Sequence, residues 1–242
     1  MGRVLTEMVN VDPEFTITAG IDINDRQQDQ YPVFATCETI PATNEADVII
    51  DYSHPAALAS LLNYSQTRKL PLVLCATGYT TEQIKEIEKA SAQIPIFRSG
   101  NMSLGINLLA NLIKKACNIL GDDFDIEIIE RHHKRKLDAP SGTALMLAEA
   151  ASENLPYKTE YIYERESRRE PRKKQEIGIS AVRGGTIVGT HEIIFAGQDE
   201  TIELRHTASS RDIFATGTLK AAKFIINKNP GIYDMNDIFE QN

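Results

Sequence analysis

The stretch Ile126-Glu-Ile-Ile-Glu-Arg-His-His-Lys-Arg-Lys-Leu-Asp-Ala-Pro-Ser-Gly-Thr-Ala144 places a strand pattern, a basic loop and a helix start next to one another. Its first four residues are mostly apolar and β-branched, which indicates a strand. Pro140 interrupts regular structure, and Ser141 is a favourable N-cap for the helix-forming residues that follow it. The stretch therefore predicts a strand that leads through a cationic loop into a helix.

The predicted loop has the chemistry of a site for an acidic ligand. The backbone N–H groups of Gly142 and Thr143 would lie in the first turn of the helix, where unpaired donors and the helix dipole favour an anion. His132 and His133 supply imidazoles, a group whose ordinary pKa of about 6.5 suits proton transfer near neutral pH. Lys136 adds a positive charge. We expect an acidic substrate to be held and protonated here.

The composition is that of a globular protein large enough for two lobes. Of the 242 residues, 42% are hydrophobic. No apolar run approaches the roughly 20 residues of a membrane helix, and no secretory signal is visible, so we expect a soluble, cytoplasmic protein without a membrane partner. The formal net charge of −8 argues against broad nucleic-acid binding. Cys37, Cys75 and Cys117 are widely spaced, which favours small core residues over a disulfide framework or a zinc site, and no ligand cluster suggests a metal.

A second basic cluster occupies residues 165–174, where glutamates and a proline are interspersed among arginines and lysines. Clusters of this kind are usually solvated loops. The alternative is that some of these cations face an anionic ligand or a neighbouring subunit.

The first hundred residues alternate strand patterns with helical patterns. The predicted strands cover residues 15–22, 46–52, 71–78 and 95–99, and the predicted helices between them cover residues 55–66 and 81–92. This alternation predicts an α/β fold with a parallel, Rossmann-like sheet. Ligands of such sheets bind beyond the carboxyl ends of the strands.

The pattern changes after a long predicted helix at residues 104–120. The segments 125–132, 176–182, 186–196 and 201–207 alternate as strands of a mixed or antiparallel sheet, with one helix at residues 141–154 among them. A final amphipathic helix at residues 213–227 is expected to return to the first lobe. We therefore predict one domain at residues 1–103 and 213–242, and an inserted α+β domain at residues 104–212.

The run Glu-x-His-His-x-x-Lys-x-Asp-Ala-Pro-Ser-Gly-Thr-Ala at residues 130–144 resembles the signature of the 4-hydroxy-tetrahydrodipicolinate reductase family, also called dihydrodipicolinate reductases. Other supporting segments are Asp51-Tyr-Ser-His-Pro55, Ala76-Thr-Gly-Tyr79, Gly100-Asn-Met-Ser-Leu-Gly105, Arg183-Gly-Gly-Thr-Ile-Val-Gly-Thr-His191 and His206-Thr-Ala-Ser-Ser-Arg-Asp-Ile-Phe-Ala215. The resemblance implies hydride transfer from NADH or NADPH, bound between the lobes, to a small cyclic unsaturated dicarboxylate in the diaminopimelate route to lysine. It also implies a dinucleotide-binding first domain, and a homotetramer formed through the sheet of the inserted domain.

The resemblance assigns roles to individual residues. Proton transfer falls to His132 and Lys136, and substrate binding to His133, Gly142 and Thr143. The residues implied to bind the cofactor are Gly2, Arg3, Asp22, Tyr52, Ser53, His54, Cys75, Ala76, Thr77, Ser99, Gly100, Asn101 and Met102. A carboxylate at Asp22 would bond the ribose hydroxyls and repel a 2′-phosphate. Although Arg26 is near in sequence, this favours NADH over NADPH.

Other polar residues of these segments are interpreted as structural. His191 and His206 stand singly in strand patterns, and Asp138 is interpreted as a cap or turn residue without chemistry. Neighbouring side chains of a strand point to opposite faces. If the strand extends to the two adjacent histidines, they are not expected to do the same job.

The start of the chain departs from the family pattern. The family opens with a strand and a G-x-x-G-x-x-G turn, whereas this chain begins Met1-Gly-Arg-Val-Leu5 and matches only the last glycine. We expect the first strand and most of the phosphate-binding loop to be missing. A misassigned gene start is the favoured explanation, and a truncated product or a natural variant that does not use a dinucleotide are the others.

Two alternative functions follow from these observations. One is a catalytically impaired remnant that binds a small dicarboxylate without efficient use of a dinucleotide. The other is a different two-domain NAD(P) reductase, against which the His-His-x-x-Lys-x-Asp-Ala-Pro-Ser-Gly-Thr run counts.

Overall fold

The computed structural model describes residues 1–24 and 31–240, which form two compact units. Unit 1 comprises Met1–Met102 and Asp212–Asn242, and unit 2 comprises Ser103–Arg211. Unit 2 is therefore inserted into unit 1, within one residue of the predicted bounds. Arg26 lies outside the described residues.

In chain order the elements are α1 (Gly2–Val9), β1 (Gly20–Ile21), β2 (Val33–Phe34), β3 (Ile49–Asp51), α2 (Leu58–Arg68), β4 (Leu72–Leu74), α3 (Thr81–Ser91), β5 (Pro95–Arg98), α4 (Leu104–Leu120), β6 (Asp125–His132), α5 (Gly142–Ser152), β7 (Glu160–Ile162), β8 (Glu176–Arg183), β9 (Gly189–Ala196), β10 (Thr201–Ala208), α6 (Asp212–Ile225), β11 (Gly231–Tyr233) and α7 (Met235–Phe239). Short 3₁₀ turns lie at Cys37–Thr39 and Pro55–Ala57. Among the described residues, none of the helices is long and apolar enough to cross a membrane.

Unit 1 contains the predicted parallel sheet, with strand order β11-β5-β4-β3, and a separate parallel pair, β1 and β2. Its core packs the apolar faces of α2 and α3 against β4 and β5 through Leu58, Leu62, Leu72, Leu74, Ile87, Ala90, Ile94 and Ile96. The strand predicted at residues 15–22 is shorter than expected, because only Gly20–Ile21 pairs with the two-residue β2.

Three local features hold the segments at the carboxyl ends of these strands in place. A capping box at the start of α3 joins the Thr80 hydroxyl to the Gln83 N–H and the Gln83 side chain to the Thr80 N–H. The Gln83 amide also donates to the Pro55 carbonyl at 2.8 Å, which ties α3 to the segment after β3. Gly217 lets α6 approach the backbone that follows β5, since a Cβ there would lie 1.7 Å from the Met102 carbonyl oxygen.

Unit 2 contains the predicted mixed sheet, and its strand order is β10-β9-β6-β8-β7. β6 is central, antiparallel to β9 and parallel to β8. Its residues alternate strictly in burial, so Ile126 and Ile128 enter the core beneath α4 and α5. α4 begins at the Ser103 cap, whose hydroxyl accepts from the Ile106 N–H.

The basic cluster at residues 165–174 is a mostly exposed loop, which agrees with its interpretation as a solvated loop. Arg165 binds Glu176 at 2.5 Å and Glu127 at 2.6 Å, and Arg172 binds Asp125 at 2.5 Å. These arginines hold the loop before β8 against carboxylates of the same unit.

Candidate active site

His132 ends β6 and lies on the same face of the sheet as the core residues Ile126 and Ile128. Because side chains of a strand alternate, Glu130 shares this face and precedes the imidazole by one pleat. Both side chains are buried, His132 being 9% exposed and Glu130 fully enclosed. The strand pattern thus places a carboxylate directly beside the predicted proton donor.

Glu130 is held by three separate groups. Its Oε2 lies 2.6 Å from His132 Nδ1, and both its oxygens accept from the Arg183 guanidinium at 2.7 Å. The Ser141 N–H donates to Oε1 at 3.0 Å. Burial would raise the pKa of the Glu130 carboxyl, but the bonds from Arg183, His132 and Ser141 outweigh it and lower that pKa. Glu130 is therefore an ionised carboxylate inside the protein.

Ser141 is the N-cap of α5, as predicted. Its hydroxyl accepts from the Ala144 N–H at 3.2 Å and lies 3.0 Å from His191 Nε2. The His191 ring in turn meets the His132 ring edge to face, with centroids 5.2 Å apart. Burial, reinforced by His132, lowers the pKa of His191 to about 4, so its ring is neutral near neutral pH.

His191 is thus structural in the sense predicted, because it supports the cap of α5. It also contacts the predicted proton donor, which the sequence interpretation did not include. His206, by contrast, packs its ring against Gly105, where an added Cβ would lie 2.8 Å away.

Lys136 lies in the loop between β6 and α5, and its Nζ binds Asp138 Oδ2 at 2.9 Å. The Lys136 hydrogen bond is the main cause that lowers the pKa of the Asp138 carboxyl, and the Gly142 N–H contributes to the same shift. Asp138 is therefore an anion placed between the lysine and the start of α5. The interpretation of Asp138 as a cap or turn residue omitted this ion pair.

The other predicted substrate residues lie in the same loop and helix start. His133 follows β6 directly and is half-buried, and within the described part of the chain its Nδ1 has no hydrogen-bond partner. Gly142 and Thr143 form the first turn of α5. The structure brings all five predicted catalytic and substrate residues of unit 2 to one end of β6.

Unit 1 has a separate cavity of about 730 Å³ at the carboxyl ends of β3 and β4. Six of the thirteen predicted cofactor residues line it, namely Tyr52, Ser53, His54, Cys75, Ala76 and Thr77. Its position at the carboxyl ends of parallel strands and its size fit part of a dinucleotide. The remaining predicted residues, Gly2, Arg3, Asp22, Ser99, Gly100, Asn101 and Met102, do not line this cavity.

The buried Asp51 organises the cavity wall. Its Oδ1 accepts from the Ser53 N–H at 2.8 Å and from the Ser53 hydroxyl at 2.5 Å, and Tyr79 donates to Oδ2 at 3.4 Å. Tyr52 bonds Thr218 of α6 at 2.6 Å. Burial raises the pKa of the Cys75 thiol to about 12, so this cysteine is an inert wall residue.

The predicted residues outside the cavity occupy other strand and helix ends of unit 1. Gly2 and Arg3 open α1, and Asp22 follows β1. Asp22 Oδ1 accepts from both the backbone and the side-chain N–H of Asn24, at 2.8 and 3.0 Å. After β5, the Ser99 hydroxyl donates to the Asn101 carbonyl at 2.8 Å and fixes the turn that contains four of the predicted cofactor residues, 99–102.

The site chemistry supports proton transfer to a bound anion. Three groups converge in unit 2: a lysine, a helix start, and an imidazole that an ionised carboxylate holds in place. Unit 1 offers a nucleotide-sized cavity. Fold and site together define a Rossmann-like α/β enzyme with an acid–base centre for an acidic ligand.

Comparison with known proteins agrees with this class. Residues 1–102 match the family model of the dihydrodipicolinate reductase N-terminus, and residues 105–239 match that of its C-terminus. The chain belongs to the dihydrodipicolinate reductase family.

The parts missed by sequence reasoning are Glu130, Arg183 and His191, and the alternation along β6 was an available signal for Glu130.

Individual relatives cover the chain almost completely. The 4-hydroxy-tetrahydrodipicolinate reductase of Caldanaerobacter subterraneus subsp. tengcongensis is 49% identical over 100% of this chain and 94% of its own length. That of Clostridium tetani is 49% identical over 98% of this chain and 91% of its own length. A dipicolinate-bound dihydrodipicolinate reductase from Paenisporosarcina sp. TG-14 has a TM-score of 0.81 at 25% identity, covering 97% of this chain and 94% of that one.

Proposed function

We propose that this protein reduces 4-hydroxy-tetrahydrodipicolinate to tetrahydrodipicolinate with a reduced nicotinamide dinucleotide, in the diaminopimelate route to lysine in the cytoplasm. The observation that carries the proposal is the convergence of His132, Lys136 and the first turn of α5 at one end of β6. These groups suit a dicarboxylate that must be bound and protonated.

Substrate carboxylates are proposed to bind Lys136, His133 and the N–H groups of Gly142 and Thr143. The ammonium supplies charge, and the helix start supplies oriented N–H donors at the positive end of the helix dipole. Lys136 binds Asp138 at 2.9 Å, and because an ammonium has three N–H donors, the lysine keeps donors for a substrate carboxylate beside Asp138. Specificity for dicarboxylates follows from two separate kinds of anion partner, the Lys136 and His133 side chains and the helix start.

His132 is proposed to deliver the proton to the reduced substrate. Its Nδ1 faces Glu130, so Nε2 is the atom left to hold and transfer a proton. A Cβ at Gly189 would lie 3.1 Å from this Nε2, and glycine therefore keeps the approach to the nitrogen open. Lys136 supports the same step by its charge and its N–H donors.

The cofactor is proposed to bind unit 1 through the three strand ends at residues 52–54, 75–77 and 99–102, with Gly2 and Arg3 at the start of α1 and Asp22 after β1 at the ribose. When bound, it supplies the hydride for the ring carbon conjugated with the imine. Asp22 carries a negative charge that favours ribose hydroxyls and disfavours a 2′-phosphate, so NADH is the proposed preference.

The test is a substrate-dependent loss of the reduced-nicotinamide absorbance with the purified chain. We expect oxidation of both dinucleotides, with a higher kcat/KM for NADH because of the Asp22 charge. Asp22→Ser is the matched variant, and it should reduce the difference in kcat/KM between NADH and NADPH. Binding of dipicolinate by calorimetry without any nicotinamide oxidation would instead support the non-catalytic dicarboxylate-binding protein.

We further propose a homotetramer formed through the face of the unit 2 sheet that α4 and α5 leave uncovered. By strand register, Ile129, Val182 and Ile194 share this face, and Val182 is 43% exposed. Size-exclusion chromatography with light scattering should give four chain masses. Val182→Asp puts a charge on this face and should lower the measured mass of the assembly. Ile119→Asp, on the exposed side of α4, should leave that mass unchanged. A single chain mass for the unaltered protein would refute the tetramer.

A further inference from the structure

Glu130 is a buried, hydrogen-bonded carboxylate of unit 2 that has no role in the reaction described so far. It is fully buried, and it receives two bonds from Arg183, one from the Ser141 N–H and one contact from His132 Nδ1. Arg183 is itself fixed, because it also donates to the Asp138 carbonyl at 2.5 Å and the Val182 carbonyl at 2.8 Å. The carboxylate is thus anchored independently of the histidine.

The geometry determines which nitrogen of His132 carries a proton. An ionised carboxylate only accepts hydrogen bonds, so the nitrogen 2.6 Å from it must be the donor. His132 is then protonated at Nδ1 in its neutral form, and Nε2 is the nitrogen that gains and loses the proton. When the ring is doubly protonated, the same carboxylate balances its charge.

Ser141 links the histidine of the unit 2 site to the proposed carboxylate-binding helix start. Ser141, which donates its N–H to Glu130, caps the helix whose first turn is the proposed carboxylate-binding site. Glu130 therefore fixes the imidazole and the start of α5 to a common point. A shift of this carboxylate would misplace both.

We propose that Glu130, anchored by Arg183, is a positioning residue that sets the His132 tautomer and aligns this imidazole with the anion site at the start of α5. The proposal rests on the proposed function for the role of His132 in turnover. It makes a separate claim about the hydrogen-bonded state of the ring, which can be measured without turnover.

A purely structural role for Glu130 makes different predictions. The structural alternative predicts that loss of the carboxylate lowers stability and leaves the catalytic constants of the folded fraction unchanged. A positioning role predicts a loss in kcat with the fold intact. The matched control is Glu176, another buried carboxylate of the same sheet, which binds Arg165 at 2.5 Å at the opposite end of β8.

The kinetic experiment compares Glu130→Gln with Glu176→Gln. We expect Glu130→Gln to lower kcat by roughly 10²–10³, with a much smaller change in KM, and Glu176→Gln to retain both constants. An unchanged kcat in Glu130→Gln would overturn the proposal.

The second measurement is the imidazole ¹⁵N spectrum of histidine-labelled protein, with the His132 signals assigned from their loss in His132→Gln. We expect a neutral His132 protonated at Nδ1 in the unaltered protein. In Glu130→Gln the preference of the neutral His132 ring for a proton on Nδ1 should be lost. Observation of the Nε2-protonated form in the unaltered protein would overturn the proposal even if Glu130→Gln does not fold. If the unaltered protein shows this tautomer but no turnover, the proposed function fails and the positioning contact stands.

Discussion

Replacement of His132 by glutamine is expected to lower kcat by roughly 10²–10⁴, with little effect on the fold. Glutamine keeps a polar group of similar length but carries no proton that it can transfer near neutral pH. Glu130 retains its bonds from Arg183 and Ser141 in this variant, so the buried carboxylate stays paired. Initial rates from the nicotinamide absorbance give kcat and KM, and the thermal midpoint from circular dichroism reports the fold.

The matched control for this variant is His206→Gln. His206 lies on β10 opposite His191 and packs against Gly105, and β9 separates it from the strand that carries His132. The His206→Gln variant should lose far less activity than His132→Gln. Full activity in His132→Gln would remove His132 from the mechanism.

Replacement of Lys136 by alanine is expected to damage turnover at least as much as the His132 change. The variant loses both a charge for the substrate carboxylate and an N–H donor. It also leaves the Asp138 carboxylate at the site without the lysine that binds it at 2.9 Å, which adds repulsion toward an incoming dicarboxylate. We therefore expect KM to rise and kcat to fall together, and dipicolinate to bind more weakly in calorimetry.

Lys134→Ala is the corresponding control, because Lys134 is an exposed cation two residues earlier in the same loop. If general positive charge drew the substrate, both variants would lose activity to a similar extent, most strongly at low salt. Equal losses would therefore contradict a specific role for Lys136. Lys136→Arg should recover charge but not full turnover, since guanidinium and ammonium geometries differ.

Long periodic segments were predictable from sequence and short ones were not. β6 and α4 match their predicted residues at both ends, because eight alternating residues and seventeen helical ones give a clear period. β2, β7 and β11 were missed, as two or three residues show no period. Their existence depends on the neighbouring strands that pair with them.

The site was predictable where it follows one continuous stretch. The N-cap at Ser141 is confirmed, and His132, Lys136 and the start of α5 lie together as expected. Contacts between distant segments were not accessible: Arg183 reaches Glu130 only because β8 pairs in parallel with β6, and His191 reaches Ser141 only through the register of β9. Likewise, the partners of Arg172 in β6 lie more than forty residues before it in the chain.

The insertion of unit 2 has a consequence for the order of events on the ribosome. α6 packs against β4 and β5 and supplies fully buried residues, including Ala215, Ala222 and Ile225, yet it is made only after all of unit 2. At ordinary rates of translation, the synthesis of unit 2 takes on the order of ten seconds. Throughout that interval the first-made part of the chain presents the apolar surface that α6 will cover. The nascent segment at residues 1–102 is therefore a natural client for chaperones, and the part synthesised first is the last to be completed.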